Sequence, residues 1–541
     1  MTTTDHSFAD IWEAVADALP DAQALVHGDR RLTWSQVDRR ADGIAKTLLD
    51  AGVQQTDKVA QYLYNCPEYM ESLFGIVKAG CAPVNTNYRY TEDELVYLWD
   101  NADAVAVVFH GAFTETIEKI RSKVPGVKTW LWVDDGSGPC PSWATPYEDA
   151  AASATERTIP SWGRSGDDLY ILYTGGTTGM PKGVLWRQGD IFSMMAAAAT
   201  VPIADATKEE ITERVRENGP AQVHLPACPL MHGTGALTSF GAWNVGGSVV
   251  TLTERHFSIT ELLDTVEREG VNSMAIVGDA FAKPMLRALD ENPGKWDISS
   301  IRLIASSGVM WSAETKEGLL RHHPAMLLSD GFSSSEAIGM GTSVSGGGAG
   351  VQQTAKFTLG PRARVISEDR TRFLEAGSGE SGLVALKGPN PLGYYKDQAK
   401  TDATFVTIDG ERYSIPGDWA MIEADGSLTL LGRGSVCINT GGEKVFPEEV
   451  EEVLKQHAAI ADAVCVGVPD EKFGEAITAM VEAAPGSSID ESDVIAHVKG
   501  KLAAYKAPKR VLQVDTIGRA PNGKVDYKRL KAWAADQVGA A

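Results

Sequence analysis

The sequence contains little cysteine and no long apolar run. Six cysteines are scattered over 541 residues, with no CxxC pair and no histidine at ligand spacing. This pattern argues against a zinc site or a disulfide framework and is typical of a reducing compartment. No apolar stretch approaches the roughly 20 residues that span a bilayer. The first ten residues also lack the basic and apolar run of a signal peptide. We therefore expect a cytoplasmic protein without integral membrane association.

Positive charge is scarce as well. The chain has 50 Lys and Arg against 72 Asp and Glu, which gives a net charge of −22. Such a protein repels phosphate backbones, so nucleic acid is not expected as a partner, although one local basic site stays open. Hydrophobic residues make up 43% and charged residues 23%, which is a globular composition. The length predicts more than one domain.

Helix and strand patterns alternate along the first hundred residues and again after residue 168. Repeated β–α units predict an α/β fold with mainly parallel sheets covered by helices. The predicted helices are Leu32–Ala51, Pro67–Ala79 and Glu92–Asn101, and the predicted strands are Lys58–Tyr64, Ala82–Asn85, Ala104–Phe109, Leu169–Thr174, Val249–Leu252, Ser273–Val277 and Ile301–Ser306.

Two segments, Asp134–Pro141 and the glycine-rich Gly341–Gly350, are predicted as loops. From Glu375 the pattern changes to short strands punctuated by glycine, which predicts a β-rich subdomain. A compact α+β unit follows. We predict a large N-terminal domain, residues 1–432, and a small, mobile C-terminal domain, residues 433–541.

The most specific motif is a loop rich in glycine and threonine that follows the apolar strand Leu169–Leu172. It reads YTGGTTGMPKG over residues 173–183 and contains four glycines, three threonines and one lysine. Backbone N–H groups, hydroxyls and a cation are what a loop needs to surround a polyphosphate. The loop is not a Walker A motif, because Pro181 precedes Lys182 and Gly183 follows it.

This loop resembles the phosphate loop of the adenylate-forming enzymes, which include acyl-CoA synthetases, luciferases and the adenylation domains of peptide synthetases. Gly175 replaces the serine that is usual in that family. The resemblance extends from Leu32 to Asp526, because further family motifs follow in the same order. They are Pro229–Gly233, Ser329–Glu336, Gly393–Asp397, Pro416–Asp418, Gly432–Arg433, Gly441–Glu449 and Pro521–Lys524.

The resemblance implies where ATP and AMP bind. The phosphate loop surrounds the phosphates, the turn after a strand contacts the adenine, and Phe332 replaces the family's tyrosine beside that ring. The implied contacts are Thr174, Gly175, Gly176, Thr177, Thr178, Gly179, Lys182, Ser307, Gly308, Asp330, Gly331, Phe332, Ser333, Ser335, Asp418, Arg433 and Lys524. For Asp418 and Arg433, a salt bridge without a nucleotide is the alternative interpretation.

The resemblance also implies the catalytic roles. Lys524 bridges the substrate carboxylate and the α-phosphate, where the transition state gathers negative charge. Glu336 and Thr174 hold Mg²⁺, a hard cation that prefers oxygen ligands. His232 lies in the substrate site, where it gates the carboxylate pocket, and its acid–base role is left open.

The second half-reaction separates the branches of this family. We expect coenzyme A to be the acceptor, since the chain ends at Ala541 and leaves no room after Lys524 for a fused carrier domain. Gly441 and Gly442 are expected to line the thiol channel, and Ser435 occupies the hinge position, where Asp or Lys is usual.

Several details resemble a group of bacterial fatty-acyl ligases and ligases for steroid side-chain acids. They are Gly175, Trp186–Arg187, Gly278–Ala280 and Gly432–Val436. We therefore predict an ATP-dependent acyl-CoA synthetase that activates a medium- or long-chain fatty acid or a steroid side-chain acid. The alternatives are acyl transfer to a separate carrier protein, a kinase that releases ADP, and a non-catalytic nucleotide-binding homologue. The sequence does not distinguish a monomer from a homodimer.

Overall fold

A computed structural model describes residues 6–174, 180–196, 206–220, 222–309, 311–348, 350–440, 443–470, 473–520 and 523–539. The helices are α1 (Phe8–Ala18), α2 (Trp34–Asp50), α3 (Pro67–Lys78), α4 (Glu92–Asn101), α5 (Thr114–Ile120), α6 (Tyr147–Ala151), α7 (Gln188–Ala196), α8 (Lys208–Asn218), α9 (Gly233–Asn244), α10 (Ile259–Glu269), α11 (Asp279–Glu291), α12 (Ala313–His322), α13 (Gln398–Thr404), α14 (Pro447–Lys455), α15 (Glu491–Lys499) and α16 (Tyr527–Gly539).

The strands of the N-terminal half are β1 (Gln23–His27), β2 (Arg30–Thr33), β3 (Lys58–Tyr62), β4 (Ala82–Asn85), β5 (Ala104–His110), β6 (Thr129–Val133), β7 (Thr145–Pro146), β8 (Leu169–Thr174), β9 (Lys182–Arg187), β10 (Val223–Pro226), β11 (Ser248–Thr251), β12 (Ser273–Ile276) and β13 (Leu303–Ser307).

The remaining strands are β14 (Leu327–Ser334), β15 (Ala337–Gly346), β16 (Lys356–Leu359), β17 (Ala363–Ile366), β18 (Ser381–Lys387), β19 (Gly393–Tyr394), β20 (Phe405–Ile408), β21 (Glu411–Ser414), β22 (Asp418–Ile422), β23 (Ser427–Arg433), β24 (Ile438–Thr440), β25 (Glu443–Val445), β26 (Ile460–Asp470), β27 (Gly474–Ala483) and β28 (Arg510–Val514).

The predicted β–α alternation is confirmed, but the chain begins with a helix that its pattern did not reveal. Helix α1 is capped by Ser7, whose hydroxyl accepts from the Asp10 N–H, and it buries Phe8 and Trp12. Helix α2 begins at Trp34, two residues after the predicted start at Leu32, because Arg30–Thr33 pairs with β1 as an edge strand. The Thr33 side chain then caps α2 through the Gln36 N–H.

One sheet places the predicted phosphate loop. Its order is β19-β9-β8-β4-β3-β5-β6-β7. The six strands from β8 to β7 are parallel to one another, and β9 is antiparallel to both β8 and β19. The predicted strands before residue 175 all lie in this sheet, and Val84 of β4 pairs with Ile171 of β8. The loop therefore follows the end of a buried central strand, as expected.

The largest sheet is parallel in its first half and antiparallel in its second. Strands β1, β11, β10, β12, β13 and β14 run parallel, and β15, β16, β23 and β22 continue the sheet antiparallel into the β-rich part. The prediction of a loop over Gly341–Gly350 is wrong for its first half, because β15 runs to Gly346 and pairs with β14. Gly346 has a φ of +94°, and a Cβ atom there would lie 2.3 Å from the Met326 carbonyl oxygen.

The C-terminal unit has a sheet of its own. Strands β24 to β28 form it, with β26 and β27 as a long antiparallel pair and β28 parallel to β27. A short 3₁₀ turn, Gly434–Val436, connects β23 to this sheet. Helices α14 and α15 cover a separate apolar core that includes Val450, Leu454 and Val494. The boundary at residue 432 stays a prediction. In the described part of the chain, every helix is too short or too polar to cross a membrane.

Candidate active site

The predicted phosphate loop lies between two paired strands. Thr174, at the end of β8, lies opposite Lys182, at the start of β9. A Cβ atom on Gly183 would lie 2.7 Å from the Tyr173 ring, so this position requires glycine. Lys182 Nζ lies 2.5 Å from Asp397 Oδ2, so a carboxylate holds the loop lysine. Residues 175–179 lie outside the described residues, and the contacts expected of Gly175, Gly176, Thr177, Thr178 and Gly179 stay predictions.

The predicted adenine turn lies at the carboxyl end of the parallel strands. Ser307 of β13 is paired with Gly331 of β14, and the Ser307 hydroxyl donates to the Gly331 carbonyl at 2.7 Å. Gly308 follows with a φ of +97°, a conformation that favours glycine. The Phe332 ring is buried, and its centroid lies 5.6 Å from that of Phe357. Phe332 is thus fixed by an apolar neighbour, and its stacking on adenine stays a prediction.

Asp330 has a partner inside the fold. Its Oδ2 lies 3.4 Å from Lys316 Nζ, and both side chains are buried. Burial raises the pKa of Asp330 to about 6, while the charge of Lys316 lowers it. The ion pair therefore connects β14 to α12. A nucleotide contact of Asp330 stays a prediction.

Glu336 follows β14, and three hydrogen bonds from two sheets hold Glu336 and the residue before it. The Tyr394 hydroxyl donates to Glu336 Oε1 at 2.7 Å, and the Ser414 hydroxyl donates to the Glu336 carbonyl at 2.7 Å. One residue earlier, Trp186 Nε1 donates to the Ser335 carbonyl at 2.9 Å. The predicted metal carboxylate therefore has a fixed backbone and one fixed oxygen. Ser333, which was expected at the nucleotide, accepts from the Gly339 N–H at 3.0 Å.

Asp418 and Arg433 lie opposite each other on β22 and β23. Arg433 Nε donates to Asp418 Oδ1 at 3.2 Å. The second oxygen, Asp418 Oδ2, is buried and finds no hydrogen-bond partner in the described part of the chain. Burial raises the pKa of Asp418, and the charge of Asp418 raises that of Arg433. A buried acceptor without a donor is costly, and the two hydroxyls of a ribose would satisfy it.

Lys524 belongs to the C-terminal unit and lies near Arg433 and Glu336, which were described above. Gly523 precedes it, and a Cβ atom there would lie 3.2 Å from Val309 and 3.5 Å from Ala280, so this turn packs against the N-terminal part. The Lys524 side chain stays accessible to solvent. The surrounding protein and the charge of Arg433 lower the pKa of Lys524, while Glu336 raises it. The structure therefore places Lys524 within electrostatic reach of Arg433 and Glu336, two of the predicted site residues.

His232 directly precedes α9, without a side-chain capping hydrogen bond, and lies within the electrostatic reach of Lys524. Burial, with smaller contributions from Lys524 and Arg89, lowers the pKa of His232 to about 3. The imidazole is therefore neutral at physiological pH. This neutral state agrees with a steric or hydrogen-bonding role at the substrate site, and the gating role stays a prediction.

The residues present fit a magnesium ion that shares its ligands with phosphates. Mg²⁺ in nucleotide sites takes one or two protein ligands, and substrate phosphates and water complete its shell. Glu336 carries a carboxylate with one oxygen left by Tyr394, and Thr174 carries a hydroxyl at the end of β8. That these two residues share one magnesium ion stays a prediction. In the described part of the chain, no group of three His, Cys, Asp or Glu side chains could hold a metal alone.

The residues expected to act in the second half-reaction are only partly described. Gly441 and Gly442 lie outside the described residues. Ser435 lies in the turn Gly434–Val436 between the two units, and its role as a hinge stays a prediction. Sequence reasoning missed Glu448, whose carboxylate lies against the backbone of Gly432, because the surrounding motif gave that position no role.

Comparison with known proteins decides the family. The family model described as AMP-binding enzyme matches residues 12–395, and the model of the AMP-binding enzyme C-terminal domain matches residues 449–524. The chain belongs to the AMP-binding enzyme family. The resemblance to adenylate-forming enzymes is therefore confirmed, and the matched ranges contain four of the eight motifs in full, at residues 173–183, 229–233, 329–336 and 521–524.

Curated AMP-binding enzymes match over nearly the whole length. The chain is 39% identical to the medium/long-chain-fatty-acid–CoA/3-oxocholest-4-en-26-oate–CoA ligase of Mycobacterium marinum, covering 99% of this chain and 97% of the relative. It is 41% identical to the 3-oxocholest-4-en-26-oate–CoA ligase of Rhodococcus rhodochrous, covering 98% and 96%. ATP-bound MatB from Rhodopseudomonas palustris matches with a TM-score of 0.81 at 26% identity, covering 98% and 99%. The predicted fold class is confirmed.

Proposed function

We propose that the protein is an ATP-dependent acyl-CoA synthetase that activates a medium- or long-chain fatty acid or a steroid side-chain acid. The reaction class, an AMP-forming acid–thiol ligase, is confirmed by the family and by the near-full-length CoA ligases. The observation that carries the residue roles is the convergence of Lys524, Glu336 and Arg433, whose charges influence one another in one cleft. The acid itself is part of the proposal.

In the first half-reaction, the substrate carboxylate attacks the α-phosphate of ATP, and pyrophosphate leaves. Negative charge accumulates on the phosphate oxygens in the transition state. Lys524 bridges the carboxylate and the α-phosphate, while Asp418 Oδ2 accepts from the ribose. Glu336 and Thr174 would hold Mg²⁺, which would neutralise phosphate charge.

In the second half-reaction, the coenzyme A thiol loses its proton and its sulfur attacks the acyl carbonyl, so that AMP leaves. Lys524 must then leave the cleft to let the thiol approach. We propose that the C-terminal unit rotates at Ser435 and brings Gly441 and Gly442 against the pantetheine. Glycine suits this position because the backbone must approach the thiol closely. A Ser435→Pro variant should keep adenylation and lose thioester formation, and retention of both would contradict the hinge.

The substrate class is supported by the relatives rather than by a pocket. The Mycobacterium marinum and Rhodococcus rhodochrous relatives carry names that specify fatty acids, a steroid side-chain acid or both. A further relative from Mycobacterium avium, 38% identical over 99% of this chain, is called a medium-chain acyl-CoA ligase. A carrier protein as acceptor remains the second candidate for the thiol partner. We place the reaction in the cytoplasm, with no nucleic acid involved.

The test measures AMP and pyrophosphate release from MgATP with a panel of acids, with and without coenzyme A. The panel covers short, medium and long fatty acids, aryl acids and a steroid side-chain acid. Turnover that requires both an acid and coenzyme A supports the proposal, and the best acid identifies the substrate. AMP release with an acid but no dependence on coenzyme A would favour the carrier protein. ADP as the product, or ATP binding without any product, would refute the proposal.

The role of Lys524 has a separate test. Removing one group that stabilises transition-state charge costs about 10² to 10³ in rate, so Lys524→Ala should lose adenylation by that factor. Thioester formation from supplied acyl-adenylate should be retained, because Lys524 is outside the cleft in that step. Lys531→Ala is the control, since Lys531 pairs with Glu475 on the surface of the same unit. Equal loss of both half-reactions in Lys524→Ala would contradict the assignment.

A further inference from the structure

The segment Gly393–Asp397 matches a family motif, and apart from the ion pair of Asp397 with Lys182 it has no role in the reaction described so far. It forms β19, which pairs antiparallel with β9 at Gly393–Leu185 and Tyr394–Val184. The Tyr395 N–H also donates to the Gly183 carbonyl at 2.8 Å. The motif is therefore attached to the strand that leaves the phosphate loop.

The Tyr394 side chain links this strand to the metal carboxylate. Its ring is buried, and its centroid lies 5.9 Å from that of Phe405. Lys400 Nζ lies 5.6 Å from the ring centroid, and the Tyr394 N–H donates to Thr401 Oγ1 at 2.9 Å. Neighbours on α13 and β20 thus fix both ends of the residue. The hydroxyl of this fixed side chain donates to Glu336 Oε1 at 2.7 Å and has little freedom to move.

Glu336 needs such a partner because cations lie near it. Its charge raises the pKa of both Arg433 and Lys524, so either cation would attract a carboxylate that is free to rotate. The backbone of Glu336 is already held by Ser414. The side-chain torsions are the remaining freedom, and the Tyr394 hydroxyl restricts them.

We propose that Tyr394 is a positioning residue for Glu336: its hydroxyl occupies Oε1, keeps the carboxylate away from Arg433 and Lys524, and leaves Oε2 for the magnesium ion. Without the hydroxyl, the carboxylate rotates toward the cations, and the metal loses a pre-arranged ligand. Tyr394 touches neither substrate nor metal and acts through Glu336 alone. This inference rests on the proposed adenylation reaction and adds the residue that arranges its metal ligand.

The neighbouring tyrosine is a matched control. The Tyr395 hydroxyl donates to Asp103 Oδ2, also at 2.7 Å, at a partly exposed contact between the motif and the turn after α4. Tyr395→Phe therefore removes one tyrosine–carboxylate hydrogen bond from the same motif without touching Glu336. Tyr394→Phe removes the other and keeps the ring and its packing.

The experiment measures ATP affinity by calorimetry with and without Mg²⁺ in the wild type, Tyr394→Phe and Tyr395→Phe. A hydrogen bond to a charged group contributes on the order of tenfold in an equilibrium constant. In Tyr394→Phe the tightening of ATP binding by Mg²⁺ should therefore fall about tenfold, and the Mg²⁺ concentration for half-maximal AMP formation should rise by a similar factor. Metal-free ATP binding should change much less, because only the new pairing of Glu336 with the nearby cations affects it. Tyr395→Phe should match the wild type.

Three results would overturn the proposal. The first is wild-type metal dependence in Tyr394→Phe. The second is an equal weakening of ATP binding with and without Mg²⁺, together with a lower melting temperature, which would show a role in packing only. The third is an equal effect of Tyr395→Phe. If the wild-type protein itself forms acyl-adenylate without any response to Mg²⁺, the metal role of Glu336 fails and the inference fails with it. If the wild-type protein forms no acyl-adenylate at all, the proposed function itself fails.

Discussion

Replacing Glu448 by glutamine should stabilise the contact between the two units at neutral and alkaline pH. Glu448 lies in the first turn of α14, and a Cβ atom on Gly432 would lie 2.2 Å from its Oε2. That oxygen is shielded from solvent and finds no hydrogen-bond partner in the described part of the chain. Burial, with the charges of Glu451 and Asp418, raises the pKa of Glu448 to about 8. We call this arrangement of α14 against β23 the closed arrangement.

The sign of the pH effect follows from proton binding. The closed arrangement holds the Glu448 proton more tightly than the open protein, in which the ordinary pKa is 4.5. Stability of the closed arrangement is therefore full below pH 4.5, falls between pH 4.5 and 8, and levels off above. One proton gives at most about 1.4 kcal/mol per pH unit. Between pH 5 and 8.5 we expect the wild type to lose about 2 to 4 kcal/mol relative to Glu448→Gln, which has no titrating proton there.

Hydrogen exchange of a peptide that covers α14 measures this free energy directly, because exchange there requires opening. After correction for the intrinsic rate, protection of α14 in the wild type should fall about 30- to 1,000-fold relative to Glu448→Gln between pH 5 and 8.5. A peptide that covers α2 should show no difference. Glu411→Gln is the control, since Glu411 pairs with Lys387 on the surface. Protection that runs parallel in the wild type and Glu448→Gln at all pH values would refute the reasoning.

Two further predictions concern the N-terminal part. Lys78 is buried, with its Nζ at 3.1 Å from Glu13, 2.7 Å from Asp38 and 2.6 Å from Asp42, so Lys78→Met should lower the free energy of unfolding by about 3 to 5 kcal/mol. A urea titration checks this, and an unchanged midpoint would contradict it. His232 has a pKa of about 3, so kcat/KM should show no inflection from it above pH 5. An inflection of kcat/KM near pH 6.5 that is present in the wild type and absent in His232→Asn would contradict this prediction.

The main elements could be predicted because their patterns are local. The strand before the phosphate loop was predicted as Leu169–Thr174, and β8 has those bounds, since a continuous apolar run bounded by a glycine-rich turn defines a buried strand. Gly341–Gly350 was predicted as a loop because glycine is rare in strands. There, pairing with β14 outweighs the low strand propensity of glycine, and the close approach of Met326 requires it.

The motifs predicted which residues meet, but not how they are held. Lys524 and Glu336 were expected in one cleft, and the structure places them within electrostatic reach of each other. The hydroxyl of Tyr394 was not predicted to reach Glu336, because the two are 58 residues apart and belong to different sheets. Glu448 gave no signal either, since a glutamate in the first turn of a helix is normally a solvated residue that favours the helix dipole.

The three carboxylates around this cleft differ in how completely they are satisfied, and the difference fits their tasks. Glu336 has a hydroxyl donor on one oxygen, which suits a ligand that must be in place before the nucleotide binds. Asp418 Oδ1 accepts from Arg433, whereas the buried Oδ2 has no donor among the described residues and could accept from the hydroxyls of a ribose. Glu448 Oε2 has no donor among the described residues, so protonation of the carboxylate or separation of the two units would relieve its burial. We therefore expect ionisation of Glu448 to favour separation of the C-terminal unit as the pH rises, which the exchange experiment measures.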